Sequence, residues 1–495
     1  MLEITAQDLA ALTGGRLVGG ATGQERITGQ AQVDSRAIAP GDLFAAFVGE
    51  RSDGHDHLPA ALDAGAAIGL VSREGGHPAV LVEDVLEALT ALAREQLTRA
   101  RREREDLVVL AVTGSAGKTG TKDLLGLALS TAGETIAPVG SFNNELGLPL
   151  TVLRLTPSTR FLVLEMGARG IGHISHLTGI ARPDISVVLN VGSAHLGEFG
   201  TVETTARAKS ELVQALPAGG RAVLNAEDPL VLAMAEGSPA PATSWGISSG
   251  EVRGTDLDLD DEARIRFTFR VPEQLTRLDG SAVPAGDHPV RPDLMGDHQA
   301  ANAVAALTAA VIAGADPAAA AAALDGARLP SGGRMEALRA GDVLVINDAY
   351  NANPDSMRQA LKTLAHLGRG HRTIAVLGEM LELGPDTVRL HDEIGRLAVR
   401  LNISQLIAVG EGAAPIHHGA SLEGSFGGES QWLPTVAEAI SVLERTVGPG
   451  DVVLLKSSRD SGLRSIAPPL LEHLAAGQPA AAPPAADPAD RGGQA

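Results

Sequence analysis

The chain has no cysteine. Disulfides, thiolate metal sites and a cysteine nucleophile are therefore excluded. Aromatic residues are scarce, with 8 Phe, 2 Trp and 1 Tyr making up 2% of the chain. Its cores must be built from Ala, Val, Leu and Ile, and stacking platforms for single-stranded nucleic acid are not expected. Basic charge is in deficit, 40 Lys+Arg against 60 Asp+Glu, for a formal net charge of −20. That balance argues against a nucleic-acid partner and against an anionic membrane surface. Long hydrophobic runs are missing too: nothing reaches the roughly 18 apolar residues of a membrane span. The N-terminal MLEITAQDLAAL carries an acid at Glu3 and lacks both the basic and the apolar segment of a signal peptide. A cytoplasmic protein with no membrane insertion is expected, acting as a monomer.

What is present is ample. The 495 residues are 44% hydrophobic and 20% charged, enough for large cores, and at roughly 100–200 residues per domain the length suggests about three domains. Residues 1–85 mix short apolar runs with turn clusters and read as a small α/β domain. Residues 86–105 read as a connecting helix whose arginines form a solvated face. Residues 106–328 change character. Apolar, β-branched runs at Leu107–Val112, Phe161–Glu165, Ile185–Asn190 and Arg221–Asn225 alternate with helical segments, which predicts a doubly wound, mostly parallel sheet. Thr243–Val290 alternates and is rich in turn residues, as a small antiparallel insert would be. A helix is predicted over His298–Ala313. Residues 329–476 form a second α/β run with strands near Val343–Asn347, Thr373–Leu377, Gln405–Val409 and Asp451–Leu455. Residues 477–495, rich in Ala and Pro, are expected to be disordered.

The sharpest local signal is Thr113-Gly114-Ser115-Ala116-Gly117-Lys118-Thr119, directly after a strand. Its glycines let successive amides point at one anion, and the following helix adds its positive N-terminus. Lys118 reaches phosphates, and the Thr119 hydroxyl suits Mg²⁺. The spacing is shorter than in the usual phosphate loop, because Val112 stands where the first Gly would be. Gly120 falls where the helix should propagate, with no local reason.

Other candidates sit where parallel strands end, at the edge of the ligand crevice. Glu165 closes FLVLE and is placed to hold a cation. His195 lies in a Gly-rich loop after another strand; a functional role, as a second cation ligand or a phosphate contact, and a structural one fit its spacing equally. Lys209, on a probable helix, reads as a surface lysine. Asn143 and Asn144 offer four donor hydrogens, though turn chemistry explains them as well. In the last domain Arg334 follows a Gly-Gly turn. The loop from Asp348 through Tyr350, Asn351, Asn353 and Ser356 is dense in hydrogen-bonding groups. Lys456-Ser457-Ser458-Arg459 is a basic, hydroxyl-rich cluster suited to a carboxylate or phosphate.

Together these segments resemble the Mur ligase family, from about Asp34 to about Leu474. The family's shortened loop T-G-x-x-G-K-T is matched by Thr113–Thr119, its N-N-x-x-G-x-P by Asn143–Pro149 and its E-M-G-A by Glu165–Ala168. N-V-G-x-A-H-L is matched by Asn190–Leu196, A-K-x-E by Ala208–Glu211, N-A-x-D-P by Asn225–Pro229, and H-x-x-x-N by His298 and Asn302. Asp348–Met357 and Leu377–Gly384 resemble the dipeptide-adding member. The T-G-S loop points the same way, and the D-N-P-R of the diaminopimelate-adding relative is absent. Two departures stand out: Gly120 for a more usual Thr- or Ser-like residue, and K-S-S-R for K-G-S-R.

The resemblance implies three α/β domains: a small N-terminal one for the UDP-sugar, a central P-loop-type sheet flanked by helices, and a Rossmann-like C-terminal one. Candidates for the sugar nucleotide are Ser35, Arg36 and the Gly49–His55 stretch. The C-terminal domain would complete the ATP site by hinged closure and admit the dipeptide. The implied reaction joins D-alanyl-D-alanine to UDP-N-acetylmuramoyl-tripeptide through an acyl phosphate, using ATP and two Mg²⁺. By resemblance, Thr119 and Glu165 hold the first cation, and His195 with a carbamylated Lys209 holds the second. Asn302 would touch adenine or ribose, Arg334 the γ-phosphate and Asp348 the ribose. Asn143, Asn144, Tyr350, Asn351, Asn353, Ser356, Lys456, Ser458 and Arg459 are the implied contacts to the acceptor peptide and dipeptide. The alternatives are a sibling amino-acid-adding ligase, folylpolyglutamate synthase, or a P-loop nucleotide switch making no amide.

Overall fold

The computed structural model describes residues 1–49, 52–192, 200–424 and 428–476. His195 and the tail 477–495 lie outside them. The chain divides into two compact units, the first Met1–Gly332 with Glu382–Pro385, the second the remainder from Gly333.

The first unit holds two larger sheets. Near the N-terminus five short strands lie in the spatial order Arg16–Val18, Ala79–Leu81, Ile68–Val71, Leu43–Ala45, Ala31–Gln32. All neighbours are parallel except the first pair. The helix α1 (Val85–Glu103) buries Leu89, Leu92, Ala93 and Leu97 in a core continuous with that of the next sheet. Its arginines do more than face water, as was expected of them. Arg101 forks onto both oxygens of Asp184, Arg94 donates to the Gly179 carbonyl, and Arg99 to that of Glu3.

The second sheet has nine strands: β1 (Val108–Thr113), β2 (Thr135–Ile136), β3 (Phe161–Glu165), β4 (Ile185–Val188), β5 (Arg221–Asn225), β6 (Ala242–Gly246), β7 (Val252–Leu259), β8 (Ile265–Val271) and β9 (Gly286–Val290). Their spatial order is β9-β8-β7-β6-β5-β4-β1-β3-β2. From β2 to β7 every pairing is parallel, and β7, β8 and β9 are antiparallel. The central strands are buried on both faces, which is why their sequences are continuous apolar runs. Thr243–Val290 is thus no separate insert. It extends the same sheet, and it alternates because Ile265, Phe267, Phe269 and Val271 face inward while Arg266 and Arg270 face water. The inner face is covered by α6 (His298–Ala313), a helix apolar nearly all round, as a helix buried on every side must be.

Along the chain α2 (Lys118–Ser130) follows β1, α3 (Gly147–Val152) follows β2, α4 (His173–Ile180) follows β3 and α5 (Val202–Gln214) follows β4. Strand β1 has its successors β2 and β3 on one side and β4 on the other. The chain reverses its winding there, and open α/β sheets bind ligands at such a switch point.

The second unit has six strands: β10 (Glu336–Ala340), β11 (Val343–Asp348), β12 (Thr373–Leu377), β13 (Gln405–Val409), β14 (Ser430–Leu433) and β15 (Val452–Lys456), in the order β10-β11-β15-β12-β13-β14. Only β10 runs antiparallel to its neighbour. Helices α7 (Pro354–Leu367) and α8 (Thr387–Arg400) follow β11 and β12. Three mixed α/β segments with mostly parallel sheets are the fold class the sequence implies.

Candidate active site

Thr113–Thr119 joins the carboxyl end of β1 to α2. Gly117 sits at the helix N-cap with φ +84°, a left-handed conformation that glycine adopts without strain, and no side chain caps the helix. The loop is braced from β4. Ser115 N–H donates to the Asn190 carbonyl at 3.1 Å. Asn190 Oδ1 accepts Ala116 N–H at 2.9 Å, while Asn190 Nδ2 donates to the Ala116 carbonyl at 3.2 Å. Gly192 N–H donates to Ser115 Oγ at 2.9 Å. Ser115 and Ala116, expected as phosphate ligands through their amides, thus direct those amides at Asn190. The anion site falls to the opening turn of α2 and to Lys118, whose Nζ donates to the Gly114 carbonyl at 2.8 Å.

Glu165, at the end of β3, is buried. Its Oε2 accepts the Thr119 hydroxyl at 2.7 Å, and its Oε1 accepts the Ser141 hydroxyl at 2.7 Å and Asn143 Nδ2 at 3.0 Å. Thr119 and Glu165 present two hard oxygens side by side, the donor type a Mg²⁺ ion prefers. Asn143 is here a partner of Glu165. Asn144 accepts Gly147 N–H at 2.8 Å, which is turn chemistry at the start of α3.

Lys209 is not a surface residue. It is 2% exposed, on the inner face of α5. Burial, with the charge of Lys118 adding, pushes its ammonium down to about 7. No hydrogen bond or ion pair reaches it among the described residues. Two residues on, Glu211 accepts Gly172 N–H at 2.6 Å and Ser175 N–H at 2.8 Å, fixing the opening of α4. Asn302 is also displaced from expectation. Its carboxamide nitrogen goes to Gln299 at 3.0 Å. Its oxygen lies against Gly117, where an added Cβ would stand 2.4 Å from it. Asn302 therefore packs on the phosphate loop, in room left by the missing side chain. Among the described residues no group of three or more acidic or His side chains forms a ready metal cage.

In the second unit Arg334 lies over the ring of Tyr350, 3.9 Å from its centroid, and Arg459 approaches the same ring at 6.0 Å. Lys456 is buried and spends its charge inward, donating to Asp348 Oδ2 at 2.6 Å and to the Asn351 carbonyl at 3.2 Å. Asp348 also accepts Met335 N–H at 3.2 Å. Lys456 and Asp348, both suggested as ligand groups, are thus paired with each other. Asn353 and Ser356 form a reciprocal capping box at the start of α7, which accounts for both. Ser458 Oγ accepts Leu381 N–H at 2.9 Å, tying two strand-end loops together.

Comparison with known proteins decides the family. Models of the Mur ligase family catalytic domain, the Mur ligase middle domain and the Mur ligase glutamate ligase domain match residues 30–99, 112–310 and 333–459. The chain is 43% identical over 512 residues to the UDP-N-acetylmuramoyl-tripeptide--D-alanyl-D-alanine ligase of Mycobacterium tuberculosis (strain ATCC 25618 / H37Rv), covering 95% of this chain and 98% of that protein. The chain belongs to the Mur ligase family. The crystal structure of MurF from Acinetobacter baumannii superposes with a TM-score of 0.80 at 30% identity, covering 95% of this chain and 99% of that one. MurF ligase from Thermotoga maritima in complex with ADP gives 0.72 at 28% identity, covering 90% and 98%.

Both departures from the Mur ligase pattern have a structural setting. A Cβ at Gly120 would meet Leu329 at 3.5 Å, ordinary contact, so crowding does not require glycine there. Ser457 is fully buried, and its Cβ would stand 2.7 Å from a Cβ at Gly378. The glycine on β12's exit loop thus makes room for the serine. In the N-terminal segment Arg36 is largely exposed and held by Asp34, whose carboxyl it pulls down to about 2. Ser35 opens the short 3-10 turn that Asp34 caps. The residues missed by sequence reading are mostly braces: Ser141 on Glu165, Asn190 on Ala116, and Asp228, which accepts Val191 N–H at 2.7 Å. Asn190 and Asp228 lay inside recognised motifs with no role attached, and Ser141 lay two residues before one.

Proposed function

We propose that the protein is an ATP-dependent ligase that joins D-alanyl-D-alanine to UDP-N-acetylmuramoyl-tripeptide in peptidoglycan precursor synthesis, working as a cytoplasmic monomer. Likeness over nearly the whole chain to proteins named for that reaction supports the reading. The observation that carries it is the convergence of Lys118, Thr119, Glu165 and Lys209 around the switch point of one parallel sheet. Among the described residues no helix is long and apolar enough to cross a membrane.

The chemistry to be performed is the meeting of two anions, a peptide carboxylate and the γ-phosphate of ATP. The carboxylate oxygen attacks phosphorus, ADP leaves, and the resulting acyl phosphate is attacked by the dipeptide amine. The tetrahedral adduct expels phosphate and loses a proton. Charge neutralisation dominates the first step. Lys118 turns from the Gly114 carbonyl to the phosphates. Thr119 and Glu165 are the residues that would hold a first Mg²⁺, which when bound neutralises phosphate charge.

Lys209 fits a second cation only after modification. As an ammonium it repels one. As a neutral amine it adds CO₂, R–NH₂ + CO₂ → R–NH–COO⁻ + H⁺, and gains a carboxylate in the same buried place. Its lowered basicity makes the reactive amine available near neutral pH. In the second unit we assign Arg334 and Asp348 to the nucleotide, and Tyr350, Asn351 and Arg459 to the dipeptide. Ser35 and Arg36 are assigned to the UDP-sugar, and His195 is carried as a second ligand for the cation at Lys209.

The test is phosphate release with each substrate withheld in turn. Strict dependence on both the UDP-muramoyl-tripeptide and D-alanyl-D-alanine is expected, with ¹⁸O from the tripeptide carboxyl appearing in phosphate. Turnover with a single amino acid and none with the dipeptide would make this a sibling ligase, and substrate-independent hydrolysis would make it a nucleotide switch.

A further inference from the structure

Five residues past the phosphate loop's last glycine, α2 carries two adjacent charged side chains that the chemistry above does not use. Lys122 and Asp123 are 1% and 3% exposed. Two charges taken out of water need partners good enough to offset their lost hydration, so what they hold is informative.

Lys122 Nζ donates to the carbonyl of Pro138 and, at 3.1 Å, to that of Gly140. Asp123 Oδ1 lies 2.7 Å from the same ammonium without a hydrogen bond to it, so that contact is electrostatic. The other oxygen, Asp123 Oδ2, accepts Ser331 N–H at 3.0 Å. Ser331 Oγ in turn accepts Gly140 N–H at 2.8 Å. The four residues close a ring: Lys122 to Gly140, Gly140 to Ser331, Ser331 to Asp123, and Asp123 back to Lys122. Ser331 is itself buried.

The ring has one outlet. Gly140 has φ +91° and is followed by Ser141, whose hydroxyl donates to Glu165 Oε1; Asn143, two residues on, donates to the same oxygen. Those two donors leave Glu165 Oε2 to Thr119. Segment 138–143 has no helix or strand of its own. Its near end is fixed by Lys122 on the Pro138 and Gly140 carbonyls and by Ser331 on the Gly140 N–H.

We propose that Lys122 and Asp123 are positioning residues for the cation site: by tethering the Pro138–Gly140 backbone they hold Ser141 and Asn143 on one oxygen of Glu165, so that the other is presented beside Thr119. This rests on the assignment of a cation to Thr119 and Glu165. The pair bonds backbone groups of Pro138, Gly140 and Ser331. Its effect passes through the partners of a ligand, and such outer contacts tune metal affinity.

The probe is Mn²⁺ with ATP, titrated by electron paramagnetic resonance on the full-length protein, beside calorimetric binding of ATP alone in EDTA. In Lys122→Met/Asp123→Asn both charges go while the acceptor for Ser331 N–H stays, so no unpaired charge is left buried. Affinity for Mn²⁺·ATP is expected to fall about tenfold or more, the range of outer-contact effects, with metal-free ATP binding unchanged. Ser141→Ala is expected to give a similar loss, and adding it to the double variant no further loss, because both act through one contact. A smaller loss, an equal loss of metal-free ATP, or losses that multiply would overturn the proposal. Should the double variant fail to fold, Ser331→Ala cuts the ring at its mildest point, and the same two titrations decide: a metal-specific loss supports the proposal, and no loss or a nucleotide-wide loss overturns it. Failure of the ligase reading would show separately, as native protein that binds Mn²⁺·ATP but releases no phosphate in response to dipeptide.

Discussion

The carboxamide of Asn190 grips the backbone of Ala116 from both sides, accepting its N–H at 2.9 Å and donating to its carbonyl at 3.2 Å. A loop that must greet a highly charged ligand is thereby held in one conformation before the ligand arrives, and the residue holding it comes from the neighbouring strand's exit. Preorganisation of this kind lowers the cost of binding.

Asn190→Ala should therefore weaken the loop without touching substrate. Two hydrogen bonds are lost, at about 0.5–1.5 kcal/mol each, and the KM for ATP should rise about tenfold, the equivalent of about 1.4 kcal/mol. Asn190→Asp keeps the acceptor but places a negative charge near the phosphates, so its kinetic defect should exceed its loss of stability. Urea unfolding with steady-state kinetics measures both, and an unchanged KM in Asn190→Ala would remove the brace from the argument.

Two glycines three residues apart should respond in opposite ways. Gly117→Ala must hold a Cβ at φ +84° and 2.4 Å from Asn302 Oδ1. Left-handed strain alone costs about 1–2 kcal/mol, and displacing Asn302 adds to it, so both melting temperature and activity should fall. Gly120→Ala meets only ordinary contacts, and should raise stability by about 0.5–1 kcal/mol through helix propensity. A lower melting temperature for Gly120→Ala would show that something beyond packing requires glycine there.

The sheets were legible in the sequence because parallel strands buried on both faces read as unbroken β-branched runs, and Phe161–Glu165, Arg221–Asn225 and Thr373–Leu377 coincide with their predicted limits. Strand Thr135–Ile136 was not, being two residues without a pattern. The edge β7–β9 looked like a separate insert because half-buried strands alternate whether or not they join a larger sheet. At the candidate site, Lys118, Thr119 and Glu165 stood out by residue type and by position at strand ends, and the structure places Thr119 against Glu165. Lys209 did not, because a lysine on a mostly polar helix gives no sign of the face it occupies. Asn353 and Ser356 were readable as a capping box, yet a loop dense in polar groups invited a ligand instead.

Lys456 and Asp348 form a buried ion pair, with side chains 2% and 12% exposed. Removing one partner strands the other charge in the interior, so Lys456→Met should cost about 3–5 kcal/mol. Lys456→Met/Asp348→Leu removes both charges and should recover most of that stability while activity stays low, because Asp348 also anchors Met335 N–H beside Arg334. Denaturant unfolding of the two variants decides the matter. Equal instability in both would mean that Lys456 acts through contacts other than Asp348.

Lys209 supplies a prediction whose sign can be worked out. Its ammonium titrates near 7 in the folded chain against 10.5 when unperturbed. Between those values the unfolded chain binds the extra proton, so folding stability contributed by this residue rises with pH from about 7 to about 10.5, by at most ~1.4 kcal/mol per pH unit. Below that window the penalty of burying the charged form is felt in full, and above it the penalty is gone. Lys209→Met should flatten this part of the stability profile, gaining most over the native chain near pH 6 in buffers stripped of CO₂. It should also abolish turnover, since an apolar chain can carry no carboxylate, and added short carboxylic acids should restore part of it by filling the vacated space. In the native chain ¹³CO₂ should give a carbamate resonance that Lys209→Met lacks. A native stability profile no steeper than the variant's would mean that the lysine reaches water, and with it the case for a reactive amine at this position would fail.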